Sequence, residues 1–240
     1  MKKRGGTKQG DAGNMTSIFP SLLRLDFAKL GESLGEVQRA GAQTVHVDVM
    51  DGHYGEEVTV GLPVVESLSK SAHLEIDVRL AVEKPERYAG EVVKAGARRV
   101  AVHPDSTNQL FRTLRIIRDH GAEVGAALRL GVPLAVLDDV WEELDFVTVV
   151  CSEWSRRQEK FLPTSIQKIK AASNFRSVSG HNFKIQAEGG IEIGHIRGLG
   201  ANGVDIIVAG PAALNGAPIG ERVKELIHEA ESAHETIDSP

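Results

Sequence analysis

The stretch RAGAQTVHVDVMDGHYG, residues 39–55, runs from the end of an amphipathic segment through a glycine into an apolar strand. The same order returns as KAGARRVAVH from residue 94, DHGAEVGAAL from residue 119 and GLGANGVDIIVAG from residue 198. A glycine at this place is typical of a helix C-cap, where the backbone becomes left-handed. Each return therefore predicts a helix, a tight turn and a strand, which is the rhythm of a parallel α/β sheet.

Outward from this stretch, the apolar runs predict eight strands with helical patterns between them. The runs are Ile18–Leu22, Thr44–Val49, Leu74–Leu80, Val100–His103, Glu123–Leu128, Phe146–Val150, Lys184–Ala187 and Val204–Val208. Eight strand–helix units fit a closed (β/α)8 TIM barrel better than an open doubly wound sheet. An open sheet would also place a GxGxxG loop after its first strand, and SLLRLDF stands there instead.

Length and composition favour one barrel domain over residues 15–240, since 240 residues with 41% hydrophobic content can bury a large core. Residues 1–14 are polar and predict a disordered tail or an expression remnant. A net charge of −5 gives no basic field for nucleic acid, and no apolar run is long enough to span a membrane. The single Cys151 fits a reducing, cytoplasmic location.

The strand at residues 44–50 carries polar groups on one face. Side chains alternate along a strand, so His46, Asp48 and Met50 point to the opposite side from the valines between them. In a TIM barrel the chemistry lies at the carboxyl ends of the strands, and phosphate is often held after strands seven and eight. Glycines occupy both of those places, and they predict an anion site with backbone N–H donors: Gly189, Gly190 and Gly210.

Several segments together carry a resemblance to a known family. They are FPSLLRLDFAKLGE, HVDVMDGHY, GLPVVESL, DVRLAVEKPERY, VHPDS, QKIK, EGG and VAGPAAL. In order and spacing the chain resembles the ribulose-phosphate 3-epimerase family from Ile18 to the final helix. The resemblance implies a TIM barrel of the ribulose-phosphate-binding type, an isomerase that epimerises carbon 3 of a ketopentose phosphate, and a homo-oligomer. It also implies a divalent metal, held by two His and two Asp, that stabilises an enediolate intermediate. Two of the carboxylates act as acid and base.

Carried over residue by residue, the resemblance makes His46 and Asp48 metal ligands and places Ser21 and Met50 beside the substrate. Two positions depart from the family pattern. Arg79 stands where the family has a metal-binding histidine, and Glu188 replaces an aspartate that is both ligand and catalyst. A guanidinium has no lone pair for a metal and repels cations. We therefore expect no bound cofactor, the alternative being zinc, iron or manganese on His46, Asp48 and Glu188.

Two further expectations concern charged residues near this site. The loop after strand six has Arg156 and Arg157 instead of the family's glycine-rich phosphate loop, which makes both arginines candidates for binding the sugar phosphate. Asp77 lies two residues before Arg79 on the same predicted face, and we expect it to be a partner of the Arg79 charge.

Two readings of the site follow from these residues. In the first, the protein is an epimerase acting on ribulose 5-phosphate or a related ketose phosphate, Arg79 supplies the positive charge, and Asp48 and Glu188 move protons. In the second, the barrel is catalytically retired and binds a phosphosugar as a sensor or scaffold, with Arg79 and Asp48 as an ordinary ion pair. A lyase or decarboxylase on the same barrel is disfavoured, because the chain has no D-x-K-x-x-D motif.

Overall fold

The computed structural model describes residues 15–23, 25–71, 73–153, 160–215 and 217–237. The described residues form eight β-strands: β1 Ser17–Pro20, β2 Thr44–Met50, β3 Glu75–Ala81, β4 Arg99–Val102, β5 Glu123–Leu128, β6 Phe146–Val150, β7 Lys184–Glu188 and β8 Ile206–Ala209. Each lies within two residues of a run that the sequence predicts, so all eight predicted strands are confirmed. The predicted tail, residues 1–14, lies outside the described residues.

Helices and 3₁₀ turns alternate with these strands. The α-helices are α1 Leu30–Arg39, α2 Leu62–Ser71, α3 Ala89–Lys94, α4 Leu110–Asp119, α5 Ser165–Ser179, α6 Ile196–Ala201, α7 Pro211–Leu214 and α8 Ile219–Ile237. The 3₁₀ turns are Phe27–Lys29, Pro85–Arg87, Pro104–Ser106, Leu134–Leu137, Trp141–Glu143 and Ile193–His195. Within the described part of the chain, no helix combines the length and apolar character needed to cross a bilayer.

The eight strands form one parallel sheet in the order β1-β8-β7-β6-β5-β4-β3-β2. An isolated parallel bridge between Ser21 and His46 joins the two ends and closes the barrel. This confirms the predicted (β/α)8 TIM barrel. Closure brings all carboxyl ends of the strands to one mouth, where side chains from distant parts of the chain can meet.

Tight glycine turns set the direction of the chain between helices and strands, as the sequence predicts. Gly96, after α3, has a φ of 111°, and a Cβ there would lie 2.4 Å from the Cβ of Ser69 on α2. In the last return the left-handed residue is Gly203, with a φ of 88°, three residues beyond the glycine in the GLGA segment. Backbone conformation and helix packing together therefore require glycine at these turns.

The strands separate two packed regions. Valines such as Val45, Val47 and Val78 are buried outside the barrel against the helices. The barrel interior holds a different set, in which Phe146 lies so close to Gly125 that a Cβ on that glycine would be 2.3 Å from the ring. The outer apolar layer fixes the strands, and the inner faces are left to carry polar side chains.

Candidate active site

Polar side chains from three strands meet in a cavity at the barrel mouth. The lining includes most of the predicted site: Ser21, His46, Asp48, Arg79, Glu188, Gly189 and Gly210. The β2–β3 register places Asp48 beside Arg79 and His46 beside Asp77. Met50 lies outside the set that lines this cavity, and its assignment to the substrate stays a prediction.

Arg79 lies between two carboxylates. Its Nε donates a hydrogen bond of 2.7 Å to Oδ1 of Asp48, and its Nη1 forms an ion pair with Oε1 of Glu188. The side chains of all three residues are at most 5% exposed. One guanidinium therefore connects a carboxylate on β2 with a carboxylate on β7 across the barrel.

His46 lies beneath this arginine and contacts carboxylates through both ring nitrogens. Its Nδ1 lies 2.7 Å from Oδ2 of Asp77, and its Nε2 lies 3.2 Å from Oδ1 of Asp48. Burial disfavours the charged ring, but Asp48 and Asp77 outweigh burial and raise the pKa of His46 to about 10. The imidazole is therefore a second cation at neutral pH.

Among the described residues Asp77 makes no direct ion pair with Arg79, and it reaches that charge only indirectly, through His46 and Asp48. Its partners are His46, Arg99, whose Nε lies 3.1 Å from Asp77 Oδ1, and Gln186, whose Nε2 donates to Asp77 Oδ2 at 3.1 Å. Residues two apart on a strand face different layers of the barrel interior, and the β3–β4 register places Asp77 beside Arg99. Sequence reasoning missed Arg99 and Gln186, although Arg99 begins an otherwise apolar strand and Gln186 alternates with apolar residues on the same face of β7 as Glu188.

The two carboxylates that flank Arg79 titrate differently. Burial alone would raise the pKa of Asp48, but Arg79 and His46 hold that pKa well below its ordinary value. For Glu188 burial prevails over the same two cations and raises the pKa to about 7. Among the described residues, Glu188 Oε2 is buried and has no hydrogen-bond partner. At neutral pH, before substrate binds, the site therefore offers one ionised carboxylate and one group able to give or take a proton.

Thr59 fixes the end of β2, and sequence reasoning missed it. Its hydroxyl donates to the carbonyl oxygen of Asp48 at 2.6 Å and accepts from the N–H of Met50 at 2.9 Å. This side chain therefore holds the backbone on both sides of Val49 and, with it, the direction of the Asp48 carboxylate.

The predicted anion corner is partly assembled. Gly189 and Gly210 line the cavity, together with Ser152, which sequence reasoning missed. The Ser152 hydroxyl is buried and makes no hydrogen bond within the part of the chain that the structure describes. Gly190 packs instead against the loop after β6, since a Cβ there would lie 2.2 Å from the backbone nitrogen of Phe161. Arg156 and Arg157 lie outside the described residues.

His46, Asp48 and Glu188 each offer one donor atom, and the three atoms lie within 4.8 Å of one another. Such a group could hold a divalent ion if nothing else occupied it. However, the Arg79 guanidinium is bonded to Asp48 Oδ1 and paired with Glu188. With Arg79 in this position the residues do not fit a metal ion, because two of the three donors already face a fixed positive charge.

The fold and the site together define a class: a TIM barrel with two buried carboxylates, joined by an arginine, at its mouth. Comparison with known proteins then gives the family. Residues 17–214 match the model of the ribulose-phosphate 3 epimerase family. The chain belongs to this family.

Two relatives and one solved structure illustrate the match. Ribulose-phosphate 3-epimerase of Serratia marcescens is 33% identical over 84% of this chain and 96% of the relative. The Escherichia coli K12 protein of the same name is 32% identical over 91% of this chain and 98% of the relative. Crystalline 3-hexulose-6-phosphate synthase from Salmonella typhimurium matches with a TM-score of 0.67 at 15% identity, covering 91% of this chain and 100% of that one. This last likeness supports the fold alone.

Proposed function

We propose that the protein is an isomerase that inverts carbon 3 of a ketose phosphate, with ribulose 5-phosphate as the expected substrate. The observation that carries the proposal is the pair Asp48 and Glu188, which line one cavity and have pKa values displaced in opposite directions. Inversion through a planar intermediate needs one group to remove a proton and another to return one from the opposite side.

The reaction then needs one proton to be removed from carbon 3 and one proton to be returned to it. Asp48 takes the proton from carbon 3, and the electron pair of the C–H bond forms the C2=C3 bond of an enediolate, placing negative charge on the carbonyl oxygen. Protonated Glu188 gives its proton to carbon 3 from the other face, and the carbonyl re-forms. The reverse reaction exchanges the two roles. Glu188 Oε2 supports this assignment, because within the described residues it accepts no hydrogen bond and has only the His46 ring, with Nε2 at 3.6 Å, as an ion-pair partner.

The phosphate belongs at the corner formed by Gly189, Gly210 and Ser152 in this proposal. Gly189 and Gly210 follow the ends of β7 and β8, where backbone N–H groups can face an anion. Gly190, Arg156 and Arg157 stay predicted contributors. Ser152→Ala should raise KM for a sugar phosphate more than it lowers kcat, because the proposal assigns this hydroxyl to phosphate binding and not to proton transfer.

Membership of the epimerase family and the survival of both carboxylates in the cavity favour the enzyme over a retired binding barrel. A cytoplasmic location and self-association stay predictions that go with this proposal.

The direct test is incubation of the purified protein with ribulose 5-phosphate in D₂O, followed by NMR. We expect the carbon-3 epimer to form with deuterium at carbon 3, while Asp48→Asn and Glu188→Gln form the epimer far more slowly. Ketohexose 6-phosphates assayed in parallel define the chain length accepted. Absence of carbon-3 exchange with every ketose phosphate would contradict the proposal.

A further inference from the structure

We infer that Arg79 is the cation that stabilises the enediolate in this protein, and that its guanidinium takes the place of a divalent metal ion. The inference rests on the proposed function, since the enediolate is the anion that a cation at this place would serve. It names Arg79 as a third catalytic residue and makes the reaction independent of metal.

The first support is the position of the guanidinium. Arg79 lines the cavity and is paired at the same time with Asp48 and Glu188. A substrate carbon placed between the two carboxylates must have its oxygen atoms close to the group that bridges them. The cation is therefore centred where charge develops on the substrate, as electrostatic stabilisation of a transition state requires.

The second support is the rigidity of this charge. Arg79 is 4% exposed. The carbonyl oxygen of its partner Asp48 accepts a hydrogen bond from the hydroxyl of Thr59. The Arg79 guanidinium stays protonated at every ordinary pH and presents planar N–H donors suited to the two oxygens of an enediolate. A donor that is already ordered costs little reorganisation when the negative charge appears.

The third support is the exclusion of a metal. A cation bound to His46, Asp48 and Glu188 would lie within a few ångströms of the guanidinium. Even two unit charges about 4 Å apart repel by roughly 4 kcal/mol at an effective dielectric of 20, which corresponds to about a thousandfold in affinity, and a divalent ion is repelled more strongly. A divalent ion could bind here only after Arg79 had left both carboxylates.

The experiment measures metal content and activity on the same preparations. Wild-type protein incubated with zinc, manganese or ferrous iron and then desalted should carry far less than one equivalent, and a strong chelator should leave its rate of carbon-3 exchange unchanged. Arg79→His adds an imidazole beside His46, Asp48 and Glu188 and should gain one equivalent of metal, with an affinity above wild type by about a thousandfold or more.

Controls separate this site from others and from unfolding. Arg79→His combined with Asp48→Asn removes one of the four donors and should lose the gained metal. Arg79→Lys keeps a positive charge without the planar fork and should keep part of the activity with no metal. Thermal unfolding of each variant shows whether it is folded. The metal and chelator measurements on wild-type protein test the inference even if a variant does not fold.

The outcomes distinguish this inference from the proposed function. One equivalent of metal in wild-type protein, lost together with carbon-3 exchange on chelation, would overturn the inference and leave the proposed function intact. Metal-free wild type without carbon-3 exchange would overturn the function, and with it the role of Arg79 toward an enediolate. Metal-free wild type with full exchange supports both.

Discussion

Two buried arginines occupy successive layers of the barrel interior, and each is 4% exposed or less. In the upper cluster, formed by His46, Asp48, Arg79 and Glu188, the guanidinium lines a cavity. In the lower cluster, formed by Asp77, Arg99, Gln186 and Phe146, the guanidinium of Arg99 lies 4.0 Å from the centre of the Phe146 ring and is not among the residues that line this cavity.

The two clusters differ in whether their buried polar atoms all have hydrogen-bond partners. Arg99 pairs with Asp77 and Glu123 and donates to Gln186 at 3.3 Å, so the lower cluster satisfies itself. The upper cluster includes Glu188 Oε2, which has no hydrogen-bond partner within the described ranges. A buried ion pair is therefore not evidence of function by itself. The upper pair is distinguished by its position on a cavity and by a carboxylate oxygen without a hydrogen bond.

The largest effect is expected from substitution of the two carboxylates of the upper cluster. Asp48→Asn or Glu188→Gln should each lower kcat by about a thousandfold or more, because general acid–base catalysis contributes about 10²–10⁴. KM should change much less. Steady-state kinetics with ribulose 5-phosphate would check this, and either variant with near-wild-type kcat would remove that residue from the mechanism.

The matched change in the lower cluster should act on stability instead. Arg99→Met leaves Asp77 buried without its arginine partner, and breaking such a pair costs about 3–5 kcal/mol of unfolding free energy. The kcat of the folded fraction should fall far less than in the carboxylate variants. Denaturant unfolding measures the stability, and steady-state kinetics corrected for the folded fraction measure kcat. If Arg99→Met kept full stability and lost its activity, the functional distinction between the two clusters would be wrong.

A smaller effect is expected from pH. Glu188 faces Asp48 and His46 on β2 and Arg79 and Asp77 on β3, and burial raises its pKa to about 7. The active form carries one proton on the carboxylate pair, in both reaction directions. Above about pH 7 Glu188 loses this proton, so kcat/KM should fall about tenfold per pH unit in both directions alike. A kcat/KM that rises through pH 7 would contradict the assignment.

The smallest effect is expected from loss of the side-chain hydrogen bonds that fix the backbone of the upper cluster. Thr59→Val removes the hydroxyl that bonds the Asp48 carbonyl and the Met50 amide, while it keeps the shape of the side chain. We expect a loss of about tenfold in kcat from the misplaced carboxylate and about 1–3 kcal/mol of stability. Thr59→Ser retains the hydroxyl and should behave like wild type in both assays.

The sequence predicts which side chains of a strand point into the barrel better than it predicts which residues they contact across the barrel. Alternation on β2 and β3 is enough to predict that His46, Asp48 and Arg79 point inward, and the strand register then makes Asp48 and Arg79 neighbours. The partner of Asp77 could not be predicted in this way. Gln186 is 109 residues away along the chain, and its meeting with Asp77 depends on how the closed barrel is staggered.

Local chemistry was also incomplete as a guide at the anion corner and at Thr59. Gly190 reads as an anion-binding glycine, yet its lack of a side chain is required by the backbone at Phe161. Thr59 lies nine residues after Met50, in an irregular segment without a periodic pattern. Its hydrogen bonds to β2 arise from the path of that loop, which no strand or helix signal describes.

The central claim is that a guanidinium and two carboxylates perform the epimerisation without a metal ion. The most direct measurement is carbon-3 deuterium exchange by wild-type protein that has been treated with a chelator and shown to be metal-free by elemental analysis. The account predicts exchange at the same rate before and after treatment, and no increase when zinc, manganese or iron is added. Exchange that stops on chelation and returns with one equivalent of a divalent ion would contradict it.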